Sequence, residues 1–241
     1  MLSNLNWDFL FELDPNSGIA VWKLIGEGLL NTLKLVAVAW ILSIVCGTVV
    51  GTLRTSSFKL IARLGDAYTE LFRNIPLLVQ LFLWFFVLPV VVPTLKTVPY
   101  TTYQFFSAVL ALGLFSSARI SEQVRAGIYA LPRGQRYAAQ AIGLTQFQTY
   151  RHVLLPQALR LCLPPMTNET MSLIKNSTVA LTIGYGELMF KSVKEVAEFN
   201  FRFFEVYAVV TVIYIVLALL AGRALVYVEQ KTVLPGYVTS K

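Results

Sequence analysis

Charged residues are scarce in this chain of 241 residues: they make up 14% of it, whereas 56% of the residues are hydrophobic. A soluble domain has about 25% charged residues, so an ordinary water-soluble globule is excluded. Glycine, proline and cysteine number 14, 10 and 2, which excludes collagen-like, disordered and disulfide-rich chains. The mean hydropathy of +0.64 favours an all-α, polytopic membrane protein.

Catalytic and metal-binding patterns are missing as well. His152 is the single histidine, so neither a histidine metal cluster nor a serine triad can be built. Cys46 and Cys162 lie far apart and are expected to be small buried hydrophobic residues. The chain has no Gly-Lys dipeptide, hence no phosphate-binding loop of the Gly-x-x-x-x-Gly-Lys-[Ser/Thr] type. These absences argue against a metal site and a membrane-embedded enzyme.

Apolar runs predict about five transmembrane helices. A segment at about Pro165–Gly186 is interrupted by Glu169 and Lys175. The four charge-free runs are Leu35–Leu53, Asn74–Leu95, Thr97–Ala118 and Val206–Gly222. Residues 1–27 carry four acidic residues and no long apolar core, so we expect an external N-terminal segment rather than a signal peptide.

The distribution of Lys and Arg predicts the orientation. With the N-terminus outside, residues 54–73, 119–160 and the tail from Arg223 face the cytoplasm and hold 13 Lys/Arg against 4 acidic residues. The external segments hold 5 against 8. Positive charge accumulates on the cytoplasmic side, so the sequence predicts an external N-terminus and a cytoplasmic C-terminus. The pI of about 9.5 then reflects topology and contact with anionic lipid rather than nucleic-acid binding.

The polar segment 131–160 does not look like a flexible loop. Pro132 and Gly134 break the preceding helix, the run Arg136–Ile142 predicts a short helix that Gly143 ends, and Thr145 is a plausible N-cap of a second helix ending at Pro156. Such a compact pair of helices can dock onto a partner through its apolar residues Ala138, Ala139, Ile142, Phe147, Val153 and Leu154. An interfacial helix lying on lipid headgroups is the alternative.

The same segment resembles the EAA loop of ABC-importer permease subunits, whose pattern is Glu-Ala-Ala, three residues, Gly, nine residues and Ile-x-Leu-Pro. Tyr137 departs from it, because the family usually has glutamate at that position. The matching positions, to which the resemblance assigns ATPase coupling, are Ala138, Ala139, Gly143, Val153, Leu155 and Pro156. The resemblance implies a type I ABC importer permease fold over residues 28–230, with the coupling loop at about 131–160 and a cytoplasmic tail at 231–241.

Three further stretches resemble the polar-amino-acid branch of these permeases. They are ELFRNIPLLVQ (Glu70–Gln80), LIKNSTVALTIG (Leu173–Gly184) and ARISEQVRAGIYALPRGQ (Ala118–Gln135), the last being most similar to permeases of glutamate/aspartate importers. The expected function is therefore ATP-driven import of glutamate or aspartate. Import of another polar amino acid, of the glutamine, histidine or arginine type, is the alternative, and an ATP-independent carrier is less favoured.

The resemblance also implies the partners. A permease subunit is not an enzyme and binds no cofactor itself; a separate ABC ATPase dimer uses ATP and Mg. A sister permease subunit, expected to form a heterodimer with this chain, and a periplasmic amino-acid-binding protein complete the importer. The expected location is the bacterial cytoplasmic (inner) membrane, with lipid contacts and no nucleic acid.

Polar residues at bilayer depth are candidates for the substrate path, since they are costly there unless they have a function. Cations would meet substrate carboxylates, and Glu169 could meet the α-ammonium group. A structural role is the alternative: Lys175 could pair with a carboxylate on a neighbouring helix, and Arg73 could reach the headgroups. The candidate residues are Arg73, Gln80, Asn168, Glu169 and Lys175.

Overall fold

The computed structural model describes residues 7–197 and 202–232, and these residues form helices and connecting turns without a β-strand. The predicted all-α class is confirmed. The predicted tail 231–241 lies outside the described residues from 233 onward. The helices are α1 (Val21–Leu53), α2 (Lys59–Asn74), α3 (Leu77–Val91), α4 (Tyr100–Ala130), α5 (Arg133–Ala141), α6 (residues 146–176) and α7 (Phe203–Thr232).

Three of these helices, α1, α4 and α7, are long and apolar enough to cross a membrane; a fourth span results if α2 and α3 form one broken span. Two runs extend well beyond their predicted limits, because α1 begins at Val21 rather than Leu35 and α4 ends at Ala130 rather than Ala118. The fifth predicted segment, about Pro165–Gly186, is divided between α6 and a 3₁₀ helix at Ser177–Ile183 and does not reach the same apolarity.

The segment 54–73, predicted to face the cytoplasm between two apolar runs, is largely helical, since α2 occupies Lys59–Asn74. Ile75 is extended, with φ −82° and ψ 127°, as expected for a residue before a proline. Pro76 then directly precedes α3, where its missing N–H would have no helical partner. The predicted run Asn74–Leu95 is therefore interrupted near its start.

The chain divides into two compact units. Of the described residues, the first consists of 7–39, 76–112, 173–197 and 202–219, and the second of 40–75, 113–172 and 220–232. The core of the first unit includes Phe9, Leu24 and Leu188, all at most 2% exposed. The core of the second includes Val124 and Ala158.

Within the second unit, α1 and α4 approach closely along small residues. The Ser43 hydroxyl donates to the Gly113 carbonyl at 3.1 Å. A Cβ atom placed on Gly47 would lie 2.8 Å from the Ser117 carbonyl oxygen, and one on Gly51 would lie 2.7 Å from that of Ser121. Glycine is required here because any side chain would separate the two backbones.

Candidate functional site

The turn at Gly143 joins α5 to α6 in the 131–160 segment. Gly143 has a φ of +88°, a left-handed conformation that glycine adopts without strain. The Leu144 N–H donates to the Ala139 carbonyl at 3.1 Å, which closes the end of α5. Thr145 and Gln148 then form a capping box that starts α6. The predicted helix end and N-cap are confirmed.

The second helix does not end at Pro156, as the sequence predicted, but continues to Asn176. A π-helical turn at Tyr150–Leu154 precedes the proline, and the Leu155 N–H donates to the Tyr150 carbonyl five residues earlier. Proline lacks an N–H and its ring clashes with the carbonyl four residues before it. The local widening of the turn accommodates this ring and lets the helix continue.

The predicted coupling residues divide between a buried and an exposed side of the segment. Ala139 is 4% exposed and Leu154, from the predicted docking set, is equally buried. Exposed apolar side chains are instead supplied by Ile142, at 78%, and Phe147, at 71%. Of the other predicted positions, Val153 and Leu155 are partly buried, whereas Ala138, Gly143 and Pro156 are exposed. The segment thus exposes an apolar surface at Ile142 and Phe147, while Ala139 and Leu154 pack against the rest of the second unit.

The connection after α1 holds this segment in place. The Ser57 hydroxyl accepts hydrogen bonds from Arg136 Nη2 at 3.0 Å and from Gln146 Nε2 at 3.2 Å. The Tyr150 hydroxyl donates to the Thr55 carbonyl at 2.7 Å. Both sides of the Gly143 turn are therefore tied to the residues that follow α1.

The predicted substrate-path residues Arg73, Asn168 and Glu169 belong to the second unit. Arg73 forms an ion pair with Glu122. Arg119 Nη1 lies 3.5 Å from Glu169 Oε2. Asn168 is exposed. The structure therefore places Arg73 and Glu169 next to two charged residues of α4 that the sequence analysis did not select.

A third ion pair continues this row. Arg125 Nη1 lies 3.0 Å from Asp66 Oδ1, and Arg54 Nε donates to the same oxygen at 2.7 Å. Arg119, Glu122 and Arg125 follow one another at intervals of three residues, which places them along one side of a helix. The sequence shows this spacing, but the distribution of Lys and Arg predicts a cytoplasmic segment at 119–160, so these residues are not candidates for the substrate path.

Gln80 and Lys175 belong to the first unit. Gln80 is 2% exposed and Lys175 is exposed. Within residues 7–197 and 202–232, Lys175 forms no ion pair. Each unit therefore contains some of the five predicted substrate-path residues. The roles of these residues in transport stay predictions.

Glu187, in the first unit, is a fully buried carboxylate that sequence reasoning missed. It accepts hydrogen bonds from the N–H groups of Met189 and Phe190 and from the Tyr214 hydroxyl, each at 2.9 Å. The carboxylate is therefore held by three donors at a position that water does not reach. Glu187 comes directly after the apolar segment predicted at about Pro165–Gly186, and for that reason the sequence analysis did not select it.

Comparison with known proteins identifies the family. Residues 43–233 match the family described as the binding-protein-dependent transport system inner membrane component. The chain belongs to this family. It is 39% identical to the glutamate/aspartate import permease protein GltJ of Escherichia coli (strain K12), over 98% of both chains. It is 35% identical to the arginine transport system permease protein ArtQ of Bacillus subtilis (strain 168), over 91% of this chain and 97% of the relative.

A solved structure supports the same conclusion. The crystal structure of an amino acid ABC transporter with histidines matches with a TM-score of 0.72 and 31% identity, over 87% of this chain and 94% of that one. A chain of the MetNI methionine ABC transporter has the same fold, with a TM-score of 0.72 at 24% identity, over 88% of this chain and 98% of that one. This protein is an ABC importer permease subunit with the type I permease fold, as the EAA-type pattern predicted.

Proposed function

We propose that this permease subunit imports an acidic amino acid, glutamate or aspartate, in an ATP-driven importer of a bacterial inner membrane. The observation that carries the proposal is the identity of 39% over nearly the whole chain to a glutamate/aspartate import permease. A second glutamate/aspartate import permease, GltK of Escherichia coli O6:H1, is 30% identical over 92% of this chain. Similarity to two such proteins supports a sister permease subunit that differs from this chain.

The charges along α4 fit an anionic substrate. In the second unit, the four arginines Arg54, Arg73, Arg119 and Arg125 face three carboxylates, those of Asp66, Glu122 and Glu169. Among these ion pairs one positive charge is left over, at Asp66, which both Arg54 and Arg125 contact; a positive potential there would attract an anionic substrate. Guanidinium groups bind carboxylates with two parallel hydrogen bonds, which a lysine cannot do.

Two of these ion pairs can exchange partners with a substrate. Arg73 and Glu122 have side chains that are 48% and 40% exposed. The Oε1 atom of Glu169 is buried and accepts no hydrogen bond from any described residue. A substrate carboxylate would replace Glu122 at Arg73, and a substrate ammonium group would occupy Glu169 Oε1. Asn168 belongs to the same unit, and Gln80 and Lys175 are the proposed substrate contacts of the first unit.

The 131–160 segment is the proposed contact with the ATPase. A separate ABC ATPase dimer would hydrolyse ATP with Mg, and its motion would reach α6 through the apolar surface at Ile142 and Phe147, which are exposed in this chain. A periplasmic binding protein would deliver the amino acid from the opposite side. In this arrangement, the N-terminus is external and the C-terminus is cytoplasmic, as the distribution of Lys and Arg favours.

Transport by the reconstituted complex, with its ATPase, sister subunit and binding protein, tests the proposal. Labelled glutamate, aspartate, glutamine and arginine are offered in turn, with and without ATP. We expect uptake of the two acidic amino acids, only with ATP. If only glutamine or arginine is taken up, the substrate is another polar amino acid and the acidic assignment is wrong. Uptake without ATP would contradict the ATP-driven mechanism.

Variants of Arg73 test its part in the path. Arg73→Ala should nearly abolish uptake of glutamate, and Arg73→Lys should lower it although the charge is kept. Arg63 is an exposed arginine on the same helix and supplies the control, since Arg63→Ala should leave uptake unchanged. If Arg73→Ala transports glutamate normally, the acidic substrate can still be correct, but Arg73 is not its ligand.

A further inference from the structure

Arg119 is an arginine of α4 that the proposed substrate path leaves without a role. Its side chain is 44% exposed, and its guanidinium carbon lies 4.9 Å from the centre of the Phe115 ring, one turn earlier in the same helix. A cation over an aromatic ring is attracted by the negative face of the ring, and this contact requires no carboxylate. Phe115 therefore helps to fix the position of Arg119 on the exposed side of α4.

The ion pair between Arg119 and Glu169 is long. Arg119 Nη1 lies 3.5 Å from Glu169 Oε2, whereas a hydrogen bond between two such charged groups measures about 2.7–2.9 Å. The other carboxylate oxygen, Glu169 Oε1, is buried and has no hydrogen-bond donor among the described residues. A guanidinium group carries several N–H donors. The two charges attract each other, but hydrogen-bonding capacity is left on both partners.

The residue after Glu169 fixes its place in the second unit. The Thr170 hydroxyl accepts a hydrogen bond from Trp40 Nε1 at 2.8 Å and donates one to the Met166 carbonyl at 2.9 Å. Thr170 is 8% exposed, so this contact between α1 and α6 is buried. Glu169 is therefore presented to α4 from a part of α6 that is packed against α1.

We propose that the α-carboxylate of the substrate binds Arg119 while its α-ammonium group binds Glu169, so that this pair recognises the part shared by all amino acids. The inference rests on the proposed function, which already places an ammonium group at Glu169. Both substrate groups are bonded to the same carbon atom, so a carboxylate whose neighbouring ammonium group is at Glu169 reaches the cation beside it, Arg119. A zwitterion between these two side chains meets an opposite charge on each side.

The second carboxylate of an acidic substrate is then left for Arg73. Arg73 pairs with Glu122, which follows Arg119 by three residues, or about 4.5 Å along the axis of α4. The side chain of an acidic amino acid can bridge such a distance. The roles are therefore divided: Arg119 and Glu169 hold the main-chain groups of the substrate, and Arg73 selects for an acidic side chain.

Binding of two amides of glutamate tests this division. Isoglutamine carries a neutral amide in place of the α-carboxylate, and glutamine carries one in place of the side-chain carboxylate. Their competition with labelled glutamate is measured on the complete complex with its ATPase and sister subunit, without the binding protein, whose own specificity would interfere. In the wild type, isoglutamine should bind about tenfold more weakly than glutamate. In Arg119→Gln this difference should disappear, whereas the difference between glutamine and glutamate should stay.

Arg73→Gln should give the opposite pattern, because it should remove the difference for glutamine and keep that for isoglutamine. Arg63→Gln is the matched control: Arg63 is an exposed arginine of α2, and both differences should stay. If Arg119→Gln removes the difference for glutamine instead, Arg119 binds the side-chain carboxylate and the proposal is wrong. If both differences stay in Arg119→Gln, Arg119 binds no substrate carboxylate, which overturns the proposal as well.

Arg119→Lys provides a second variant in case Arg119→Gln does not fold, which thermal unfolding in detergent shows. It keeps the charge but not the two parallel hydrogen bonds, so the difference for isoglutamine should become smaller. The result also separates this inference from the proposed function. Binding of arginine or glutamine but not glutamate by the wild type would contradict the acidic substrate. Absence of saturable glutamate binding would contradict both. Normal binding of glutamate with unchanged differences in both Arg119 variants would contradict the role of Arg119 alone.

Discussion

Arg119 Nη1 lies 3.5 Å from Glu169 Oε2, yet the two side chains differ in burial: Glu169 is 8% exposed and Arg119 is 44% exposed. A buried carboxylate whose second oxygen accepts no hydrogen bond within the described residues is costly unless a further cation reaches it. The Arg119–Glu169 pair could stabilise the fold or bind the substrate, and these two roles predict different effects of mutation.

Exchanging the two charges separates these roles. Arg119→Gln leaves the Glu169 charge unpaired and should lower the free energy of unfolding by about 1–3 kcal/mol. The double variant Arg119→Glu/Glu169→Arg restores an ion pair and should recover much of that stability. If Glu169 meets the substrate ammonium group, the double variant stays inactive in uptake of glutamate. Recovery of transport together with stability would show that the pair is only structural.

Gly143 allows a test of coupling in which only a charge differs. Asn and Asp both tolerate the left-handed conformation at a φ of +88° better than other residues. No heavy atom lies within 4 Å of a Cβ placed there, so neither side chain clashes within this chain. Gly143→Asp should uncouple uptake from ATP hydrolysis because it places a carboxylate in the contact with the ATPase, whereas Gly143→Asn should keep most of the uptake. Normal uptake by Gly143→Asp would contradict the coupling role of this turn.

The close contact of α1 and α4 predicts opposite effects for two glycines of one helix. A Cβ atom on Gly47 would lie 2.7 Å from the Cβ of Ile120, so Gly47→Ala should destabilise the protein by about 1–3 kcal/mol. Gly26 has no heavy atom within 4 Å of its Cβ position, and Gly26→Ala should stabilise α1 by about 0.5–1 kcal/mol. Thermal unfolding in one detergent measures both. Equal effects would mean that α1 and α4 are not in close contact.

Labelling of single cysteines by a membrane-impermeant reagent tests the orientation. Asp14 is an unsuitable position, because it is 1% exposed and accepts a hydrogen bond from the Ser17 hydroxyl. Asn16→Cys and Lys194→Cys, both exposed, should react from outside intact cells, whereas Lys59→Cys and Gln140→Cys should react only after permeabilisation. The unmodified chain, with Cys46 half-buried and Cys162 buried, is the control. Labelling of Lys59→Cys from outside intact cells would contradict the proposed orientation.

The sequence by itself determined the helical class, the family and the turn at Gly143. Each of these depends on local chemistry: a deficit of charge, a motif with fixed spacing, and a glycine followed by a Thr-x-x-Gln cap. Such signals need no knowledge of distant contacts. They were less reliable for the limits of α1 and α4, because helix length beyond the apolar run depends on what the additional turns pack against.

Only the tertiary structure decided which charged residues meet. Arg119, Glu122 and Arg125 are spaced for one side of a helix, but their partners Glu169, Arg73 and Asp66 come from two other helices. The continuation of α6 through Pro156 likewise required the π-helical turn at Tyr150–Leu154, which no local rule predicted. Ion pairs between helices and accommodated prolines depend on packing between residues far apart in sequence, and helical periodicity contains no information about that packing.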